Sequence, residues 1–365
     1  MEATLVRLLS AGVSGRIFPG AAAAVIWPSQ EGPVVALGAA GSMTYDGPSA
    51  ISNKTLFDLG NATAPIVATA ALRLEEGGDI DLNSSIKSMI PTLRNGPIVD
   101  ATGRELLRHL AGVDTWGGLY LDVPHDPGSG AAKRWIVSEV SRRPSPRGRG
   151  HEFYSDLGLL LVGEGIAKAA GRSLDRIVRS EITEALGISG DLLYPAALSG
   201  DRRARLARRT APTERCAWRG RIVAGEVHDE NCAALGGVAG HAGLFATAEA
   251  MATFGAATLK ALAGTGSLIT QAAVQSATRP LPDQDGSPSF GESWQLPKSE
   301  STHGKRLGSS AYGVDSLTGC SLWCDPDTGL SISLLTNRIH PSRSNTRIEG
   351  FRPAFLDAVL ARFSS

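Results

Sequence analysis

The chain carries no surplus of either charge, no long apolar run and no paired cysteine motif, and each absence removes a class of function. Lysine plus arginine and aspartate plus glutamate number 36 each, so the formal net charge is zero. A neutral chain lacks the field that draws nucleic acid or an anionic membrane to its surface, so neither is expected as a partner. Residues 1–7 include Glu2 and no apolar stretch, and the apolar run at 20–27 is short. That is a strand's length, not a membrane helix or a secretory segment, and the chain reads as cytoplasmic. Cys216, Cys232, Cys320 and Cys324 are dispersed without a C-x-x-C unit. Free buried thiols are expected rather than disulfides or a metal site. No internal repeat, low-complexity tract or Gly-x-Ser-x-Gly elbow occurs.

What is present is an ordinary globular composition: 365 residues, 42% hydrophobic and 20% charged. That length suits one large domain or two intimately packed subdomains, with ample core. Arg202, Arg203, Arg205, Arg208 and Arg209 cluster, as on a solvated helix face. Apolar periodicity predicts helices over 3–12, 104–110, 132–142, 157–170, 246–262 and 350–362, and strands over 20–27, 33–40, 319–324 and 329–336. Another helix starts at Pro65, a favoured first-turn residue. It places Ile66, Val67, Ala70, Ala71 and Leu74 on one side and stops at Gly77-Gly78. Strands at both ends with helices between predict an α/β (α+β) fold. One antiparallel sheet is built from both termini and covered by a helical insertion. Segments 1–60 and 305–365 hold the sheet and terminal helices, and 61–304 is largely helical. The runs at 144–150 and 280–303 are expected to be mobile loops.

Residues 57–67 read Phe-Asp-Leu-Gly-Asn-Ala-Thr-Ala-Pro-Ile-Val. Before them stands Phe18-Pro19-Gly20-Ala21. After them come Leu106-Leu107-Arg108-His109-Leu110-Ala111-Gly112 and Phe153-Tyr154-Ser155-Asp156-Leu157-Gly158. Residues 225–231 (Gly-Glu-Val-His-Asp-Glu-Asn) and 236–245 (Gly-Gly-Val-Ala-Gly-His-Ala-Gly-Leu-Phe) follow, then Thr318–Trp323 and Leu335–Pro341. In order and spacing these pieces resemble the serine β-lactamase and penicillin-binding protein superfamily over nearly the whole chain. They look most like its class C β-lactamase-related esterases and amidases. The resemblance implies a β-lactamase/transpeptidase-like domain over 1–365, with no metal and no cofactor.

The family's chemistry uses a serine nucleophile, a lysine one helical turn on, a tyrosine that shuttles the proton and two backbone N–H groups for the oxyanion. Carried over, Asn61 stands at the serine and Ala64 at the lysine. Tyr154 matches the tyrosine, and Asp156 is a common variant beside it. Aligning Gly313 and Thr318-Gly319 puts Val314 at the third motif's histidine, Asp315 next and Ser316 at its glycine. Backbone donors near Asn61 and Leu317 survive side-chain change, though Ser316 narrows the gap between them. His109 and His241 match family positions that bind no metal. The resemblance thus implies a cleft lined by His109, Asp156, His241, Asp315, Ser316 and Leu317.

An amide cannot acylate and a methyl cannot take a proton. Loss of a serine nucleophile alone costs about 10⁶ in turnover. Departures in the first and third motifs imply a pseudoenzyme: a member of a hydrolase family that has lost acyl-serine catalysis. It is expected to bind a small acyl, peptide or muropeptide-like ligand or to act as an interaction partner. The alternative is a working esterase, amidase or D-alanyl peptidase with a non-standard nucleophile. Ser84-Ser85-Ile86-Lys87 is a formal Ser-x-x-Lys but follows a surface turn. Thr63 has no lysine to activate it and suits a helix cap, and Ser155 suits a structural role. His228, Asp229, Glu230 and Cys232 are ligand types at poor spacing for one ion. Trp116, Trp218 and Trp294 either wall the cleft or pack in the core. Asp315 predicts repulsion of a ligand carboxylate, unless it turns to solvent or pairs with an arginine such as Arg306.

Overall fold

The structure, a computed structural model, describes residues 1–93, 96–281, 289–297 and 303–363. Its strands among those residues are β1 (Gly20–Trp27), β2 (Val34–Gly41), β3 (Phe57–Asp58), β4 (Leu192–Leu193), β5 (Arg215–Cys216), β6 (Arg221–Ile222), β7 (Phe245–Ala246), β8 (Tyr312–Asp315), β9 (Ser321–Asp325) and β10 (Leu330–Thr336). Five of them form an antiparallel sheet in the order β2-β1-β10-β9-β8. The two termini therefore share one sheet, with Ala21 opposite Thr336. The mixed α/β architecture with an antiparallel sheet is the one the sequence pattern predicts.

Alternation along β10 shows why the sheet carries helices on both faces. Leu330, Ile332 and Leu334 join a core with Leu5, Leu9, Phe355 and Leu356 of the terminal helices Glu2–Ser14 and Ile348–Leu360. Ser331 and Ser333 point the other way. Their hydroxyls donate to the carbonyls of Ala252 and Ala248 on the helix Ala248–Leu262. A strand that looks half polar is fully buried, because its hydroxyls are satisfied by a helix backbone.

The predicted helices appear within a few residues of their expected bounds: Ala64–Glu76, Gly103–Leu107, Gly130–Val140 and Asp156–Ala169 lie between the sheet-forming segments. That middle region also contains a three-stranded sheet, β3-β7-β4, and the ribbon β5-β6, which periodicity does not reveal because each strand is two residues long. All four cysteines are buried and free. No helix among the described residues is long and apolar enough to cross a membrane. Of the run 280–303 expected to be a mobile loop, 282–288 and 298–302 lie outside the described residues. Residues 289–297 pack firmly: Trp294 is stacked on Phe254 and edge-on to Tyr312. Trp294 is thus a core residue.

Candidate active-site cleft

The segment bearing Asn61 is held from three sides. β3 pairs with β7, and Leu59 N–H donates to Leu244 O. The buried Asp58 carboxylate accepts the N–H groups of Gly60 (2.8 Å) and His228 (2.6 Å). Thr63 Oγ1 accepts the Leu244 N–H at 3.3 Å. A 3₁₀ turn, Gly60–Thr63, then leads into the helix Ala64–Glu76. Gly60 has φ +52°, and a Cβ there would lie 2.6 Å from Ser316 Oγ and 2.8 Å from a Thr318 methyl. Gly60→Ala should therefore cost about 2–4 kcal/mol from left-handed backbone strain plus overpacking. Chemical denaturation should recover part of that loss in Gly60→Ala/Ser316→Gly; equal losses in the single and double variants would show that Ser316 is not the obstacle.

Asn61 reaches across to β8 and the loop after it. Its Oδ1 accepts the Leu317 N–H at 3.1 Å, and its Nδ2 donates to Asp315 O at 3.4 Å. The carboxamide thus takes up the backbone donor at the position where the resemblance placed an oxyanion contact. Ser316 is buried, and its Oγ lies 3.0 Å from Thr318 Oγ1. Ala64 is buried in the apolar core and carries no proton-accepting atom.

Tyr154 closes the other side. Its hydroxyl donates to Asp156 Oδ1 at 2.7 Å. Burial and then Asp156 push its pKa well up, with Asn61 opposing the rise. His109 packs against the Tyr154 ring at a 44° tilt, ring centroids 4.7 Å apart, and Phe290 packs on both rings. His109 Nδ1 accepts the Ser155 N–H at 3.2 Å, so the neutral ring carries its proton on Nε2. Burial pushes the His109 pKa down to about 3. It positions Tyr154 as an uncharged ring. Ser155 Oγ donates to Asp114 O and accepts the Gly158 N–H as a helix cap, which is the structural role expected.

Behind Tyr154 lies a largely buried group of charged side chains, Asp156, Asp229 and His241. Asp156 is raised to about 6 by burial, with His241 opposing and Asp229 adding to the rise. Burial works against the Asp229 carboxylate too, yet the His241 charge and hydrogen bond (3.0 Å) and the Cys232 N–H (2.6 Å) hold it down at about 2. Burial likewise opposes the His241 imidazolium, but Asp229 and then Asp156 raise it. For Asp156 the folded pKa exceeds the unfolded one, so its contribution to stability is fully present below about pH 4. It is lost as pH rises through about 6. Asp156→Asn should match wild type in Tm near pH 4 and exceed it by pH 8. The gain is of the order of 1 kcal/mol, discounted for partial exposure. A difference that does not change with pH would contradict the shift.

Asp315 takes one of the courses the sequence offered, pairing with an arginine, although the partner is Arg352 and not Arg306. Its side chain shares a face of the sheet with Trp323, on the side of the C-terminal helix. The carboxylate takes hydrogen bonds from Trp323 Nε1 (3.2 Å), faces His303 Nδ1 (3.0 Å) and lies 3.7 Å from Arg352 Nε. Burial opposes its ionisation, but these groups lower its pKa. Only the Asp315 backbone reaches Asn61. Strand alternation decides this, since Val314 takes the opposite, core-facing side.

The remaining sequence candidates are already engaged. Ser84 Oγ donates to Asp81, and Lys87 Nζ to Leu93 O. His228 faces Glu214 at 3.2 Å, Glu230 pairs with Arg343, and Cys232 Sγ donates to Ala242 O, so those side chains do not converge on a common point. Trp116 is exposed beside Thr115, whose carbonyl accepts the Asp156 N–H, whereas Trp218 packs on Tyr120. Sequence reasoning missed Phe290, Glu292 and the partnership of Asp229 with His241. None belongs to a motif that specifies its partner, and the first two fall in the run read as a loop.

The class of protein these elements define is the β-lactamase/transpeptidase-like fold. The Beta-lactamase family matches residues 5–352, and the chain belongs to that family. Among its relatives, an N-acetylmuramyl-L-alanine amidase of Bacillus subtilis (strain 168) is 27% identical over 88% of this chain and 78% of that protein. A putative D-alanyl-D-alanine carboxypeptidase of Salmonella gallinarum is 26% identical over 83% and 76%. Similar folds include simvastatin synthase from Aspergillus terreus (TM-score 0.74, 18% identity, 100% of this chain and 98% of that one). A penicillin-binding protein homologue from Caulobacter crescentus gives 0.72 at 19% identity, over 98% and 96%.

Proposed function

We propose that this protein is a non-catalytic member of its family, binding a small acyl, peptide or muropeptide-like ligand in the cleft between Asn61 and Tyr154. The observation that carries the reading is the Asn61 carboxamide. It stands where the nucleophile belongs, and its own oxygen takes the Leu317 N–H that would otherwise face a substrate carbonyl. The core methyl of Ala64 leaves no base beside it. Thr63 and Ser155, the nearest hydroxyls in sequence to Asn61 and Tyr154, are tied to backbone groups.

The ligand class rests on the cleft rim and on the relatives. Leu317, whose N–H meets Asn61, is an exposed large apolar group, suited to an acyl or peptide side chain. The names of the relatives include muramyl-L-alanine and D-alanyl-D-alanine groups. Val314 offers no cation where the family holds an anionic group, and Asp315 turns away, so a ligand carboxylate is neither drawn in nor repelled there. Calorimetry with an N-acyl-D-alanyl-D-alanine peptide and its C-terminal amide tests this. The expected result is saturable binding, the amide at least as tight as the acid, with both peptides recovered intact. Release of D-alanine above buffer, or no binding of either peptide, defeats the reading.

A further inference from the structure

A second cavity, of about 430 Å³, lies between the helices Leu174–Val178 and Gly200–Arg208. Its walls are apolar: Val178, Leu192, Leu193, Leu198 and the ring of Tyr194, whose hydroxyl is committed to Ala239 O. Its rim is basic, with Arg176, Arg179 and Arg202. A shallower continuation between the same elements adds Arg205 and Arg209. Two of these guanidiniums are neutralised, Arg179 by Glu184 at 2.7 Å and Arg209 by Asp191 at 2.9 Å. Arg176, Arg202 and Arg205 are exposed and form no ion pair among the described residues. Asp175 is the carboxylate that also lines the cavity, so the unpaired rim carries a net positive charge.

Three of the clustered arginines, Arg202, Arg205 and Arg209, thus stand at the margin of an apolar hollow. We infer that this cavity binds a single-chain amphiphile with an anionic head, the chain against Val178, Leu192, Leu193 and Leu198 and the head at Arg176 and Arg202. Removing an alkyl chain from water drives insertion. Guanidinium stems lie along apolar surface while their heads hold carboxylate or phosphate in bidentate hydrogen bonds. A nucleotide is a poorer match, because the one aromatic ring of the lining is itself buried core. The cavity also backs onto the Asn61 turn. Leu244, which lines it, supplies both the carbonyl to Leu59 and the N–H to Thr63. The inference does not depend on what the cleft binds.

Displacement of a fluorescent fatty acid from the full chain, below micelle-forming concentrations, tests it with decanoate, decyl phosphate and decanol. Decanoate should bind with saturation at one per chain. Decyl phosphate should do at least as well, and decanol about tenfold worse. Arg176→Glu with Arg202→Glu should weaken decanoate about tenfold or more, and Arg202→Gln alone should weaken it less. Leu317→Asp, in the cleft, should leave it unchanged. Equal binding of decanol, no saturation, or loss in Leu317→Asp with none in the arginine variants overturns the inference. The last of these would put the chain in the cleft instead.

Discussion

Incubated with a fluorophosphonate or a fluorescent penicillin, the wild-type chain keeps its unmodified intact mass. Asn61→Ser keeps it too, whereas Asn61→Ser/Ala64→Lys gains one adduct. The first result follows from chemistry, since no carboxamide acylates. The second follows because a hydroxyl at residue 61 still lacks a base, and the groups around it are spent: Tyr154 on Asp156, and Thr63 on Leu244. The third follows because removing the carboxamide frees the Leu317 N–H while the lysine restores proton transfer. The expected difference is large. A missing nucleophile alone costs about 10⁶ in rate, so labelling moves from undetectable to complete on the scale of hours. An adduct on the wild-type chain would revive the enzyme reading. A double variant that folds but never labels would show that Ser316 and the rebuilt third motif have also closed the site.

Glu292→Ala should destabilise the protein by about 3–5 kcal/mol, the usual cost of removing one partner of a buried charge cluster. Glu292 is fully buried. Its Oε1 takes both Arg104 Nη1 at 2.5 Å and the nearly buried Arg108 Nη2 at 2.9 Å, and Arg104 reaches on to Glu75. Removal strands Arg108 without a carboxylate. It also loosens the loop that carries Phe290, whose ring holds His109 and Tyr154 in place. Urea denaturation reads the first effect. The second should appear as weaker binding of the cleft ligand under conditions where the variant is still folded. A loss under 1 kcal/mol would mean that solvent reaches Arg108 and satisfies it.

The fold was largely legible in the sequence because its main signals are local. β1 is a continuous apolar run ending at Trp27, and β10 has alternating serines among leucines. The helix after Pro65 is bounded by proline and glycine. Each depends on residues within one element. β3, β4 and β7 were not legible, since two residues cannot display a period. β8 was hidden for a related reason: its four residues include Gly313 and Asp315, which are poor strand formers held by β9 and by Gln295.

For the site, residue identity and residue environment came apart. The sequence alone determined which groups are missing, because Asn61 and Ala64 lack the required atoms in any conformation. It also determined the family, whose motifs recur in order from Phe18 to Pro341. Only the tertiary structure decided where the remaining groups point. Strand alternation turns Asp315 toward Arg352 and His303 and leaves its carbonyl to Asn61. Contacts more than a hundred residues apart bring Leu317 N–H onto Asn61 and Phe290 onto Tyr154. Packing also sets Arg202, Arg205 and Arg209 of the solvated arginine face beside an apolar hollow. Chemistry travels with the side chain, whereas direction, pairing and burial belong to neighbours that the chain supplies from elsewhere.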